Sequence, residues 1–398
     1  MTKRRIAIVG GGMAALATAF ELTQRGDQQE RFDITIYQMG WRLGGKGATG
    51  RDGQGRVVEH GLHIWFGCYE NAFRMLRAAY DEWEPLANQA IVSCDSALKP
   101  QRDSAIGAGD DSDVVCLHWP VMRGEPGVGR ADFSAFSAFS QMLTVMQCFY
   151  DQLSKVGDPE LRLSVGTIAL LHLAGVEIGK YVDREPPELG APQSTFLKKD
   201  QGLALAGEWS LKLASNERVR NEAQLRGFVA FIRLYAKTVL DLNGSKSQSA
   251  GRFLAEFIDV GTAAIKGIVV DMMLGGASVG DLDLMDFREW LAVCGADRDS
   301  VYGSPVVQAL YDSMLQYCDG DKRRPSYGAG TAAQAVVRLY GTYKDTFAFE
   351  MQAGMGEVVV TPIYRVLKQR GVKFEFFYKL KEIKLDRKKT SVAQIEFY

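Results

Sequence analysis

Histidine is scarce in this chain, four residues in 398, and its six cysteines, Cys68, Cys94, Cys116, Cys148, Cys294 and Cys318, include no CxxC pair. A metal centre of clustered imidazoles and thiolates is therefore not expected, nor is a disulfide frame; scattered thiols fit a reducing, cytoplasmic setting. Charge of one sign is also lacking: 47 basic against 48 acidic residues leave a formal charge of −1, with no long basic run. Without a polyelectrolyte face, nucleic acid is not an expected partner. Long apolar runs are missing too. The oiliest segments, 167–178 and 261–274, are broken by His172, Glu177, Lys266 and Asp271, so neither reads as a membrane span. Met1-Thr2-Lys3-Arg4-Arg5 leads into only four apolar residues before the first glycine, a strand with a basic lead-in rather than an export signal.

What the chain has is glycine, 42 residues, and its opening uses it in a pattern. Ile6-Ala7-Ile8-Val9 is β-prone, Gly10-Gly11-Gly12-Met13-Ala14-Ala15 follows, and residues 16–25 then read as a helix closed by Gly26. Strand, glycine turn and helix in that order predict a dinucleotide cradle. Gly10 permits the sharp exit from the strand, Gly12 lets a pyrophosphate approach the backbone, and Ala15 lets the helix lie close to the strand. The first helical amides, from Met13 and Ala14 onward, then face the phosphates. The alternative for three glycines is an ordinary structural turn; their position between strand and helix favours the nucleotide.

The next strand, 32–37, ends where an acidic side chain usually takes the adenosine ribose hydroxyls, and here the residue is Gln38. Its carbonyl oxygen can still accept a hydrogen bond, but without charge it discriminates only weakly against a 2′-phosphate. Otherwise it is a neutral strand-end residue.

Past Gln38 the chain reads Gly40-Trp41-Arg42-Leu43-Gly44-Gly45-Lys46-Gly47-Ala48, then a tight turn at Asp52-Gly53-Gln54-Gly55, then Glu59-His60-Gly61-Leu62-His63-Ile64-Trp65-Phe66-Gly67. This run resembles the two-dinucleotide-binding flavoproteins that include flavin amine oxidases and carotenoid desaturases. Its second half is most similar to the plant-type phytoene and ζ-carotene desaturases. The resemblance implies FAD, with Arg42, Gly44, Gly45 and Lys46 along the pyrophosphate and flavin and Gly61, Leu62 and His63 passing the isoalloxazine. Glycines allow close approach to a flat ring, and guanidinium and ammonium groups offset phosphate charge. A second stretch of resemblance covers Ala353-Gly354-Met355-Gly356-Glu357, Tyr364-Arg365-Val366-Leu367, Gly371-Val372-Lys373-Phe374 and Leu380-Lys381-Glu382-Ile383. There the family places a helix and then strands returning to the dinucleotide domain, one of which offers main chain to the adenine, here near Leu380. Family members finish with a glycine-aspartate strand and helix that hold the flavin from the far side. This sequence stops at Tyr398 before any such segment, so a partner chain completing the site is one expectation.

Between the two stretches, apolar residues at three- and four-residue spacing predict helices at 71–83, 133–153, 159–182, 205–214, 222–242 and 251–273. Residues 114–121 are β-prone, while 101–113, 184–194 and 243–249 read as loops. The expected fold is α/β: a Rossmann-like FAD-binding domain with a parallel sheet, formed discontinuously from 1–80 and 345–398, plus a largely helical cap or substrate domain at 81–344. Two other glycine clusters, Gly107-Ala108-Gly109 and Gly328-Ala329-Gly330, are not expected to bind a nucleotide. The first precedes acids, and the second follows a stretch too polar for a buried strand.

Without a second nucleotide site, electrons are expected to leave to oxygen, a quinone or a protein. His63 and His60 are the imidazoles inside the motif and the candidate acid-base groups, with flavin packing as the alternative for His63. The chemistry implied is FAD-dependent dehydrogenation of a largely apolar small molecule, cytoplasmic or at the membrane periphery. An amine or amino-acid oxidase releasing hydrogen peroxide is the other enzymatic reading, for which Arg74, Arg233 and Arg338 are carboxylate-clamp candidates. An incomplete flavoprotein subunit is the third.

Overall fold

The computed structural model describes residues 3–61, 63–85, 89–107, 114–129, 134–153, 161–162, 196–197, 225–230, 232–233 and 249–398. Leu62, His172, residues 108–113, the expected helix 205–214, most of those at 159–182 and 222–242, and the loops 184–194 and 243–248 lie outside them. The chain divides into two units, one of Met1–Gln101, Gly124–Gly129 and Ala348–Tyr398, the other of Arg102–Arg123 and Arg130–Phe347.

In the first unit, β1 (Arg4–Val9) enters the glycine turn and α1 (Met13–Thr23) leaves it. α1 buries Leu16, Ala19 and Phe20, apolar groups small and large, together with the Thr23 hydroxyl, which donates to Ala19 O at 2.8 Å. β2 (Phe32–Gln38) pairs parallel with β1, Val9 opposite Tyr37. A hairpin of β3 (Gly50–Arg51) and β4 (Val57–Val58) closes over the expected turn, where Asp52 Oδ1 accepts the amides of Gln54 and Arg56, both at 2.9 Å. β5 (Trp65–Phe66) and α2 (Glu70–Glu82) follow, then β6 (Leu98–Gln101).

β7 (Ala348–Met351) returns between β5 and β6 in an antiparallel sheet. After it come a π-helical turn Gly356–Val360, α3 (Thr361–Gln369) and β8 (Lys373–Phe376), which joins β2 in parallel. The three-stranded parallel sheet therefore runs β1-β2-β8. The core gathers Leu16, Phe20, Ile36, Phe73, Leu76, Val358, Ile363 and Leu367, each such side chain contributing about 1.5–3 kcal/mol on burial. Phe73, Leu76, Ala79 and Tyr80 of α2 belong to it, so the expected boundary at residue 80 falls inside a core helix. β9 (Leu380–Leu385) and β10 (Val392–Phe397) form a separate hairpin; Phe397 stacks on Tyr37, centroids 4.6 Å apart.

In the second unit an antiparallel ribbon pairs Asp103–Gly107 with Val114–His118. Sequence reads the first of these strands as loop. Asp-Ser-Ala-Ile-Gly has little β preference of its own, and cross-strand pairing supplies what propensity does not. Leu161–Arg162, inside the expected helix 159–182, are extended and pair with Phe196–Leu197, so pairing with a distant segment overrides local periodicity there. The expected helices 133–153 and 251–273 form as Ala135–Leu153 and Ser249–Gly267, the latter running on as a π-helical turn Ile268–Leu274. Ala329–Gly341 packs on the first of them, where Gly341 meets Ala138. Trp119 stacks on Phe347 with centroids 3.8 Å apart. Among the described residues no helix is long and apolar enough to cross a membrane, and no cluster of histidine, cysteine and acid is placed to hold a metal.

Candidate dinucleotide-binding site

Gly10 leaves β1 at φ 101°, a left-handed value that glycine adopts without steric cost, and its amide donates to Tyr37 O at 2.8 Å. α1 starts at Met13 with Gly12 as its N-cap; no side chain caps it and no acid lies in its first turn. The amides of Met13, Ala14 and Ala15 and the positive dipole end are thus not neutralised by an internal carboxylate, the condition for receiving phosphate. A Cβ added at Gly12 would meet only Gly45 Cα at 3.9 Å, leaving room for a ligand at backbone distance. At Gly11 it would lie 2.6 Å from Leu43 Cδ2, so that glycine serves the protein's own packing.

The second glycine segment lies against the first. Gly44 donates to Gly11 O at 2.8 Å, Gly12 and Gly44 form a parallel bridge, and a Cβ on Gly45 would sit 3.1 Å from Gly12 Cα. Arg42 and Lys46 are both exposed, and the Arg42 guanidinium lies 5.0 Å from the Trp41 ring centre. Two cations therefore accompany the paired glycines. Gln38 is turned inward: its Oε1 accepts the Gly11 amide at 2.8 Å and its Nε2 donates to Arg42 O at 2.9 Å.

Glu59 organises the third motif. It accepts the Thr49 hydroxyl, accepts the Met355 amide at 2.6 Å through Oε1, and meets His63 Nδ1 at 2.7 Å through Oε2. Burial pushes the Glu59 carboxyl up, but the Thr49 hydroxyl, the His63 ring and the Met355 amide together hold it below its ordinary 4.5. An ionised carboxylate only accepts, so Nδ1 of His63 carries a proton toward Glu59, and a lone pair on the ring can only be that of Nε2. Thr49 Oγ1 in turn accepts the Gly356 amide at 2.6 Å, and Arg51 pairs with Glu357 at 2.6 Å. The glycine turn before α3 is thereby bound to the β3–β4 hairpin.

His63 is half-buried and held; His60 is exposed, as is Gly61, whose φ is 149°. Leu62 lies outside the described residues. Leu380 begins β9, more than a third exposed, its main chain paired with Phe397. Thr49 and the linking role of Glu59 escaped sequence reading, although a signal existed. The turn at 52–55 sets Gly50 opposite Val58, which places Thr49 opposite Glu59 one step further along the hairpin. At the other glycine cluster, Asp283 accepts the Thr331 amide and hydroxyl, each at 2.7 Å, at the start of Ala329–Gly341. A carboxylate there repels phosphate.

Residues 8–79 match the family model of the NAD(P)-binding Rossmann-like domain. The zeta-carotene desaturase of Synechocystis sp. is 42% identical over 72 residues, 18% of this chain and 14% of that protein. The chloroplastic/chromoplastic zeta-carotene desaturase of Solanum lycopersicum is 40% identical over 75 residues, 19% and 12% respectively. The 15-cis-phytoene desaturase of Synechococcus elongatus is 37% identical over 73 residues, 18% and 14%. This chain thus aligns with only about an eighth of the length of these relatives. Over residues 8–79 the chain has a Rossmann-like dinucleotide-binding fold, and by that segment it is similar to the carotenoid desaturases.

Proposed function

We propose that this chain belongs to an FAD-dependent oxidoreductase that dehydrogenates a largely apolar small molecule, with hydride passing to the flavin and electrons leaving to oxygen or a quinone. The observation that carries it is the pairing of two glycine segments at an uncapped helix N-terminus, with Gly12 open to a ligand. The residues fit the group: the α1 amides, Arg42 and Lys46 would hold pyrophosphate charge, and Gly61 and His63 would face the flavin ring, as the resemblance implies. Bound flavin supplies an acceptor for a hydride and its electron pair. The chain's own contribution is positional. Glu59 keeps the proton of His63 on Nδ1, leaving Nε2 to accept the single proton that a desaturation step releases alongside the hydride.

An apolar substrate is supported by the desaturase relatives. Among the described residues, none of the three arginines is set to clamp a substrate carboxylate. Arg233 is consumed by Asp259, Thr262 and the Gly295 carbonyl, while Arg74 is an exposed partner of Glu21 and Arg338 is exposed. A cytoplasmic or membrane-peripheral setting and a partner chain completing the flavin site are parts of the same proposal. The test is anaerobic mixing of the FAD-loaded chain with a linear polyene in lipid, alone and with its partner chain if one copurifies. Bleaching of the flavin, reversed by a quinone, is expected; no bleaching by polyenes, together with hydrogen peroxide release when amines are added in air, would move the assignment to the oxidase.

A further inference from the structure

The position that normally offers a carboxylate to the ribose is here used for something a carboxylate cannot do. Gln38 bridges an N–H donor, Gly11, and a C=O acceptor, Arg42. Only a side chain that both accepts and donates can satisfy the two, and those partners also dictate which end of the amide is oxygen. On one side of the bridge lies the first glycine turn, on the other the loop carrying Arg42, Gly44 and Gly45. The same two segments are sewn again by the Gly44 amide on Gly11 O. Gly11 has no room for a side chain because Leu43 and Gln38 occupy that space; a Cβ there would lie 3.0 Å from Oε1.

We propose that Gln38 is a positioning residue that latches the two glycine segments into one preformed cradle. A glutamate would keep the bond to Gly11, lose the donor to Arg42 O, and set a negative oxygen against that carbonyl. A leucine would lose both bonds. Preorganisation matters because a loop ordered before the ligand arrives costs nothing to order on binding. Ligand affinity depends on the latch, and this consequence rests on the dinucleotide reading above; the latch itself does not.

The experiment uses the 398-residue chain, its Gln38→Glu and Gln38→Leu variants, and FAD as the probe. Gln38→Glu is expected to weaken FAD binding about tenfold, the scale of one lost and unreplaced hydrogen bond, and Gln38→Leu, which loses two, by more than that, with little change in melting temperature. Exchange of the Gly11 amide in the ligand-free chain, followed by NMR, is expected to quicken in Gln38→Leu and to stay slow in Gln38→Glu. FAD binding to Gln38→Glu as tight as to the parent chain would assign the residue to the ribose and overturn the latch. Unchanged Gly11 exchange in Gln38→Leu would overturn it too. If no version binds FAD while Gly11 exchange responds as expected, the latch stands and the dinucleotide reading falls. Should Gln38→Glu fail to fold, Gln38→Leu and the exchange measurement decide.

Discussion

Gly12 and Gly11 stand side by side and have different reasons to be glycine. Gly11 is pressed by Leu43, whereas Gly12 faces open space bounded by Gly45. Gly12→Val is therefore expected to leave the fold within about 1 kcal/mol of the parent while filling the phosphate approach. Urea denaturation and flavin content of the purified variant check both halves; normal flavin occupancy would show that phosphate does not approach there. Glu59 gives a second test at this scale. Its carboxyl is held below its ordinary value when folded, so the stability it contributes is present above about pH 4.5 and lost as pH falls through the folded value. The stability difference between the parent and Glu59→Gln, from urea titrations between about pH 6 and about pH 3, should shrink toward the acid end. A difference constant across that range would mean that the Thr49, His63 and Met355 contacts do not favour the ionised form.

Elements meet through side chains whose importance composition does not reveal. Arg370, at the end of α3, donates to Phe20 O and Thr23 Oγ1 at the end of α1 and to both oxygens of Glu82 on α2, with its guanidinium 4.2 Å from the Phe20 ring centre. Its side chain is 5% exposed. Arg370→Ala should cost about 2–4 kcal/mol, because it strands carbonyl and carboxylate groups at a three-helix junction, and Arg370→Lys should recover only part of it. Urea denaturation of the two variants measures this; a loss under about 0.5 kcal/mol would place the junction's stability elsewhere. In the second unit, a Cβ on Gly267 would lie 2.2 Å from Trp290 Cζ2 and 2.5 Å from Cys294 Sγ, whereas one on Gly26 meets nothing within 4 Å. Gly267→Ala is expected to destabilise by about 1–3 kcal/mol from overpacking, and Gly26→Ala to be tolerated. Equal melting temperatures for the two would refute the close packing of Gly267 on Trp290.

At the scale of the molecule, the legible parts are those where local chemistry and fold agree. Ile6–Val9 into Gly10, the Asp52–Gly55 turn and the helical stripes of 71–83 and 133–153 each announce their structure through backbone requirement or period. Gln38 was legible as a departure but not in its role, because nothing local says that its amide turns back onto Gly11. The strand Asp103–Gly107 and the Arg370 junction were not legible, since each takes its conformation or its partners from residues distant in sequence. Residues 8–79 remain the part where sequence, geometry and relatives converge. The most direct test of the dinucleotide assignment is the visible absorption and circular dichroism of the purified chain titrated with FAD. Saturable uptake of an optically active flavin, abolished by Gly12→Val and not displaced by excess NAD or NADP, is predicted. A folded chain that stays colourless through the titration, or one that binds NAD or NADP in place of FAD, would contradict it.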